Sequence, residues 1–264
     1  MGNILDTIIQ YKTGELEKAK ASVPSGELER SPLFSRPTLS LQGSLSHPAS
    51  TGIIAEFKRR SPSKGLFQAN ADPAAITTAY SGAGAAGLSV LTDAQFFGGS
   101  NDDLVRARIN NVPILRKDFI IDEYQILEAR AIGADVILLI AACLEPARIR
   151  ALAAFAKTLQ LEVLLEIHGD DELDHICDEV DLVGVNNRDL KTFKVDLNRS
   201  VNLAPKIGLD KIKVAESGIN HPDAISLLRE HGYKGFLIGE AFMKEPDPGI
   251  AFAGFVKQLK QDKA

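Results

Sequence analysis

The chain predicts an α/β fold, a (β/α)8 TIM barrel with an N-terminal helical and irregular extension. Three observations carry this reading. Past residue 52, a short apolar, β-branched run is followed by a turn and an amphipathic stretch, and the pattern recurs about eight times. Its spacing of roughly 20–35 residues is that of a strand–helix unit. The apolar runs are near-continuous, as parallel strands covered on their outer side must be. An open doubly wound sheet shares this alternation, but about eight regular units favour closure into a barrel.

The elements follow in order. Residues 1–51 stand outside the repeat and form the extension; the barrel is assigned to residues 52–264. Residues 1 to about 20 predict one helix, because Ile4, Leu5, Ile8, Ile9 and Leu16 recur at helical spacing. Residues 22–51 are rich in Ser, Pro and Gly and predict irregular chain. A lid, a docking arm and a loose lead all suit such a segment. Strands are predicted at 52–58, 87–92, 113–119, 135–142, 162–168, 182–188, 212–219 and 235–242. Helices are predicted near 72–86, 101–110, 122–133, 145–160, 169–179, 196–208, 220–232 and 247–260. Asp72-Pro73, Asp122 and Glu145-Pro146 supply helix starts, since Pro is harmless where an N–H would lack a partner anyway.

In such a barrel the site is built at the C-terminal ends of the strands. The first strand ends with Glu56 and Lys58, which share one face while Phe57 takes the other. The third carries Lys117 and the fifth Glu166. The sixth ends in Asn186-Asn187-Arg188, the seventh in Glu216-Ser217-Gly218 and the eighth in Gly239-Glu240. Charge placed on the inner face of apolar strands is costly, so its recurrence at six ends points to one shared pocket. Gly218 and Gly239 let backbone N–H groups approach an anion, and the last two loops of a barrel often bind phosphate. A phosphorylated small-molecule substrate follows.

Composition narrows the partners. A net charge of −5 leaves no basic stripe for nucleic acid. Two cysteines, Cys143 and Cys177, offer neither a disulfide framework nor CxxC metal spacing, and the five histidines show no ligand spacing. The longest apolar run, 136–144, is far short of the roughly 20 residues a membrane helix needs. No secretory leader opens the chain. The expectation is a cytoplasmic protein without a metal, a nucleic-acid partner or a membrane.

Taken together, these motifs resemble the indole-3-glycerol-phosphate synthase family. The resemblance rests on Ile54-Ala55-Glu56-Phe57-Lys58-Arg59-Arg60-Ser61-Pro62-Ser63-Lys64-Gly65, Leu91-Thr92-Asp93 with Phe96-Phe97-Gly98-Gly99-Ser100, and Leu115-Arg116-Lys117-Asp118-Phe119-Ile120. It continues through Leu165-Glu166-Ile167-His168, Gly184-Val185-Asn186-Asn187-Arg188-Asp189-Leu190, Glu216-Ser217-Gly218-Ile219 and Phe236-Leu237-Ile238-Gly239-Glu240. It spans residues 52 to about 245 in the family's order. Before residue 52 only the first helix matches.

The resemblance implies a carboxy-lyase of tryptophan biosynthesis, working without cofactor or metal. Its substrate is 1-(2-carboxyphenylamino)-1-deoxyribulose 5-phosphate. It implies Lys117 as the main general acid, with a lowered pKa among other cations. Glu166 orients the acid and assists dehydration, and Asn186 holds a carboxylate or hydroxyl. Lys58 contacts the substrate's anionic groups as a second acid, and Glu56 tunes the lysines. Ser61 donates to the anthranilate carboxylate, while Phe97, Phe119 and Leu190 wall the aromatic pocket. Arg188 and Glu216 flank the site. Ser217, Gly218, Gly239 and the backbone of Glu240 take the phosphate, with the Glu240 side chain turned away. Other tryptophan-pathway enzymes are the expected class of protein partner. Two readings compete: another phosphate-binding barrel such as a phosphoribosyl isomerase, and a barrel that binds a ligand without catalysis. The isomerases use Cys/Asp or Asp/Asp pairs where this chain has two Lys and several Glu.

Overall fold

A computed structural model of the chain describes residues 4–62, 64–189 and 192–261. Eight parallel strands close into a barrel. They are β1 (Ile53–Phe57), β2 (Gly87–Leu91), β3 (Ile114–Lys117), β4 (Val136–Ile140), β5 (Glu162–Ile167), β6 (Leu182–Asn186), β7 (Ile212–Glu216) and β8 (Tyr233–Ile238). Each pairs with its sequence neighbours, and β1 closes the ring against β8, with Ile53 opposite Phe236.

The period of two along each strand sorts the side chains. Ile53, Ala55 and Phe57 point out into the layer beneath the helices, with Leu88, Val90, Val163, Leu165, Val183 and Val185. Ile54, Leu115, Leu138, Leu164, Leu182, Val214 and Leu237 point in and pack as the barrel's own core. Glu56, Lys117, Glu166 and Glu216 continue those inward rows one step higher, and Asn186 two steps above Leu182, so strand parity alone lifts them to the upper mouth.

Helices follow most strands where predicted: Pro73–Gly82, Asn101–Ala107, Glu123–Ala131, Pro146–Thr158, Pro222–Glu230 and Pro248–Gln261. Asp72 caps the first through Ala74 N–H, and Asp122 makes a capping box with Gln125. Two predictions are corrected. Residues 169–179 hold only a 3-10 segment, Asp170–His175, because Asp170, Asp171, Glu172 and Asp174 leave little apolar face to pack. Residues 196–208 give a short helix, Asn198–Leu203, which Pro205 then tightens into a 3-10 turn.

From residue 4 on, the extension is ordered and holds both ends of the barrel. Its first helix, α1 (Ile4–Ser22), buries Leu5, Ile8 and Lys12. Next come α2 (Ser25–Leu28) and α3 (Leu41–Ser46). Leu41 and Leu45 of α3 are almost fully buried and join the inner core, plugging the bottom of the barrel. Burying each such side chain stabilises by about 1.5–3 kcal/mol. Glu162 at the foot of β5 accepts from the N–H groups of Leu41 and Gln42, and fully buried Asp135 accepts from those of Leu39 and Ile114. These carboxylates do for residues 36–42 what a periodic sequence does elsewhere, which is why composition alone suggested irregular chain.

Candidate active site

The inward polar row opens into a cavity of about 450 Å³ at the upper mouth. Glu56, Lys58, Ser61, Phe97, Lys117, Phe119, Asn186, Arg188, Glu216, Ser217, Gly218, Gly239 and Glu240 all line it. Glu166 does not reach the cavity surface; it lies 3% exposed beneath Lys117. Leu190, expected in the aromatic wall, lies outside the described residues. Sequence reasoning missed Ile4, Leu5 and Ile8 of α1, and also Lys64, Phe193 and Val195. The α1 residues carried the only available signal, an apolar stripe, which reads as packing until the helix is placed. A second hollow of about 700 Å³ lies between α2 and the barrel helices, lined by Leu28, Leu33, Val105 and Ile132. It brings together no cluster of titratable groups.

Lys117 stands at its centre. Its Nζ lies 3.4 Å from Glu166 and 3.8 Å from Glu216. Burial alone would lower its pKa, but the surrounding Glu166, Glu216 and Glu56 outweigh burial and hold it above the usual lysine value. This corrects the expectation of a lowered pKa. The neighbours are carboxylates, not cations, and they arrive from β1, β5 and β7.

Two carboxylates of the same cluster are driven apart. Glu166 resists burial because Lys117, His168 and the Asn186 amide favour its anion, and its pKa falls well below the usual value. The Asn186 side chain is held at both ends. Its Nδ2 donates to Glu166 at 3.1 Å, and its Oδ1 accepts from Arg188 N–H at 3.0 Å. His168 lies 3.3 Å from Glu166 and 3.4 Å from Glu172. Burial opposes its charge, but both carboxylates raise it to about 9. His168 is therefore a buried, structural member of this charge cluster.

Glu216 goes the other way: burial and the nearby charge of Glu166 push it up to about 8. Its side chain fits because Gly184 on β6 lacks a Cβ, which would come within 2.2 Å of Oε1. A raised carboxyl adds stability that is complete below its unfolded value of 4.5 and is lost as pH rises through about 8. Glu216→Gln stays neutral, so its melting temperature should gain on the wild type's as pH climbs from about 5 to about 8.5. Parallel melting curves across that range would show that Glu216 is not held protonated.

The rest of the cavity separates by chemistry. Glu56 and Lys58 pair at 2.6 Å, with the ammonium 5.9 Å from the Phe67 ring centroid. Ser61 Oγ is buried with no hydrogen-bond partner among the described residues, which leaves it open to a ligand. Phe97 and Phe119 face one another across 6.2 Å, tilted by 38°. Opposite them, Ser217 and Gly218 adopt left-handed backbone, φ 65° and 81°. Strain at a non-glycine such as Ser217 is kept where a site requires it. The Glu240 carboxylate pairs with Arg188 at 3.0 Å and faces Lys64 at 3.8 Å. Among the described residues no group of His, Cys, Asp and Glu is arranged to hold a metal ion. Nor is any described helix long and apolar enough to cross a membrane.

Comparison with known proteins gives this geometry a context. The family profile described as Indole-3-glycerol phosphate synthase matches residues 5–254. An indole-3-glycerol phosphate synthase of Bacteroides thetaiotaomicron is 46% identical over 98% of this chain and all of its own length. One from Bordetella pertussis is 45% identical over 97% of this chain and all of its own length. The fold also resembles tryptophan synthase subunit alpha from Legionella pneumophila, with a TM-score of 0.62 over 85% of this chain and 97% of that one. At 15% identity that likeness concerns the barrel alone.

Proposed function

Because this chain belongs to the indole-3-glycerol phosphate synthase family, we propose a division of labour among the residues at its mouth. The reaction is the ring closure, decarboxylation and dehydration of 1-(2-carboxyphenylamino)-1-deoxyribulose 5-phosphate, a lyase step of tryptophan biosynthesis. The observation that carries the assignment is the position of Lys117. Its ammonium sits among three carboxylates, on the inward row that ends beside the Phe97–Phe119 pair.

Ring closure needs the ketone carbon made electrophilic while an aromatic ring carbon attacks it. The Phe97 and Phe119 rings hold the aryl group, and Ser61 donates to its carboxylate. Lys58 draws on that carboxylate and on the sugar oxygens. Lys117 protonates the ketone oxygen as the carbon–carbon bond forms, so no alkoxide has to build up. Carbon dioxide then leaves, and its bonding electrons return the ring to aromaticity. In the last step the new hydroxyl leaves as water. An acid must protonate that oxygen, and a base must take the proton from the ring nitrogen or carbon. Glu166 is the fixed anion of the cluster; lying beneath Lys117 and out of the cavity, it serves as base through the Lys117 amine it touches. Glu216, whose pKa burial and Glu166 raise, lies 3.8 Å from Lys117 and can reload it. Asn186 keeps Glu166 in register and binds a substrate hydroxyl.

The phosphate is assigned to Ser217-Gly218 and Gly239-Glu240, which line the cavity beside Arg188 and Lys64 and whose backbone N–H groups would take it. Arg188 and Lys64 already engage the Glu240 carboxylate, so they bind phosphate without leaving a bare acid beside it. We place the enzyme in the cytoplasm, with the other enzymes of its pathway as the partner class. The direct test is the fluorescence of the indole product as it forms from the carboxyphenylamino substrate. Wild-type protein that binds this substrate and forms no indole-3-glycerol phosphate would refute the assignment.

A further inference from the structure

One charged residue lies in the apolar stripe of α1. Leu5, Ile8 and Lys12 share its buried face, at spacings of three and four residues. Lys12 is 2% exposed, which is rare for lysine unless it is fully paired. Its Nζ lies 3.0 Å from Asp93 and 2.9 Å from Asp118, with Glu15 of its own helix also at 2.9 Å. Asp93 follows β2 and Asp118 follows β3, and both are buried. The ammonium therefore adds a charged tie between two loops that the pairing of Leu91 with Lys117 and the Thr92–Asp118 hydrogen bond already bring side by side.

Each carboxylate has a second task at the site. The other oxygen of Asp93 accepts from the N–H groups of Phe96 and Phe97, capping the short helix Ala94–Phe97. The Asp118 oxygen that faces Lys12 also accepts from Phe119 N–H at 2.8 Å, while its other oxygen accepts from Thr92 and Arg116. Asp118 thus sits between the acid Lys117 and the aromatic Phe119. The charges around Lys12 are accounted for: Glu15 from α1, Asp93 from the β2 loop, and Asp118, itself paired to Arg116, from β3. Burial opposes the cation, but Asp118 and Asp93 outweigh it and keep Lys12 charged.

We infer that Lys12 is a positioning residue for catalysis: by pinning Asp93 and Asp118 together, it sets the Phe97–Phe119 spacing and the placement of Lys117. The inference rests on the role given to Lys117 above. A misplacement of about 1 Å at a reacting group can cost 10²-fold in rate, so a remote pin can matter. Lys12→Met keeps the apolar stem and removes the charge.

The expected result is a kcat lower by about tenfold or more in folded protein, together with a raised KM from the loosened aromatic pair. The decisive readout is a double-mutant cycle. If Lys12 acts through Lys117, Lys12→Met should cost far less in a Lys117→Ala background than alone. Equal costs in both backgrounds, or wild-type kcat and KM in Lys12→Met, overturn the inference. Should Lys12→Met fail to fold, Asp93→Asn serves instead, since its amide oxygen keeps the cap while the charge facing Lys12 is lost. Several-fold lower kcat/KM is expected there, and unchanged kcat/KM overturns the pin. Full turnover by Lys117→Ala would overturn the acid assignment, and the KM of Lys12→Met then decides the pin alone.

Discussion

Lys117→Ala is expected to lower kcat by about 10²–10⁴-fold, the usual worth of a general acid, while affinity for inorganic phosphate survives. The phosphate loops follow β7 and β8, and Lys117 makes no contact with Arg188 or Lys64 in the described network. The substitution also strips Glu56, Glu166 and Glu216 of their shared cation, so part of any loss reflects repulsion among carboxylates. Lys117→Arg separates the two effects. Its guanidinium keeps the charge but gives up no proton at neutral pH. It should restore thermal stability without restoring turnover. Steady-state kinetics and melting curves on the two variants decide the matter. Recovery of turnover by arginine would reduce Lys117 to an electrostatic prop.

A raised pKa makes Lys117 an intrinsically weaker acid, which changes the account of how it works. Its proton is always loaded at neutral pH, and transfer is driven by the far greater basicity of a developing alkoxide. Once deprotonated, the amine remains 3.8 Å from Glu216, whose raised pKa suits it to return a proton. The arrangement exchanges acid strength for a permanently charged site that also attracts an anionic substrate.

Much of this was legible in the chain, for a reason that can be located. Strand parity is local, so Glu56 and Lys58 could be put on one face, opposite Phe57, from sequence alone. Parallel strands joined by helices bring their C-terminal ends together, so the pocket followed from polar residues at those ends. The pKa of Lys117 did not follow, because it depends on Glu166 and Glu216, separated from it by dozens of residues and brought close only by closure of the barrel. The extension was opaque for a related reason. Leu41 and Leu45 lie in a Ser- and Pro-rich stretch with no period, and only the open bottom of the barrel makes them a plug. Lys12 is a lone polar residue in the apolar stripe of α1, and only the folded barrel sets Asp93 and Asp118 opposite it.

Glu166→Gln should have the second largest effect, a kcat loss of about 10²-fold or more, and it should act at two points. Glutamine keeps the size of the side chain but removes the anion that pairs with Lys117, so ring closure slows through a misplaced acid. It also removes the base for dehydration, so a ring-closed species awaiting loss of water should build up in single-turnover traces. The same substitution reaches His168, which Glu166 and Glu172 together raise to about 9 against burial. The sign is fixed. A raised imidazole adds stability that is complete below its unfolded value of 6.5 and lost as pH rises through about 9. With Glu166 neutralised, only Glu172 remains to favour the cation, so the His168 titration followed by NMR should move to lower pH. A titration unmoved by Glu166→Gln would mean that the 3.3 Å approach carries no charge coupling. A drop in kcat with no accumulating intermediate would confine Glu166 to orienting Lys117 and pass the base to another group, with Glu56, 2.6 Å from Lys58, the next carboxylate at the mouth.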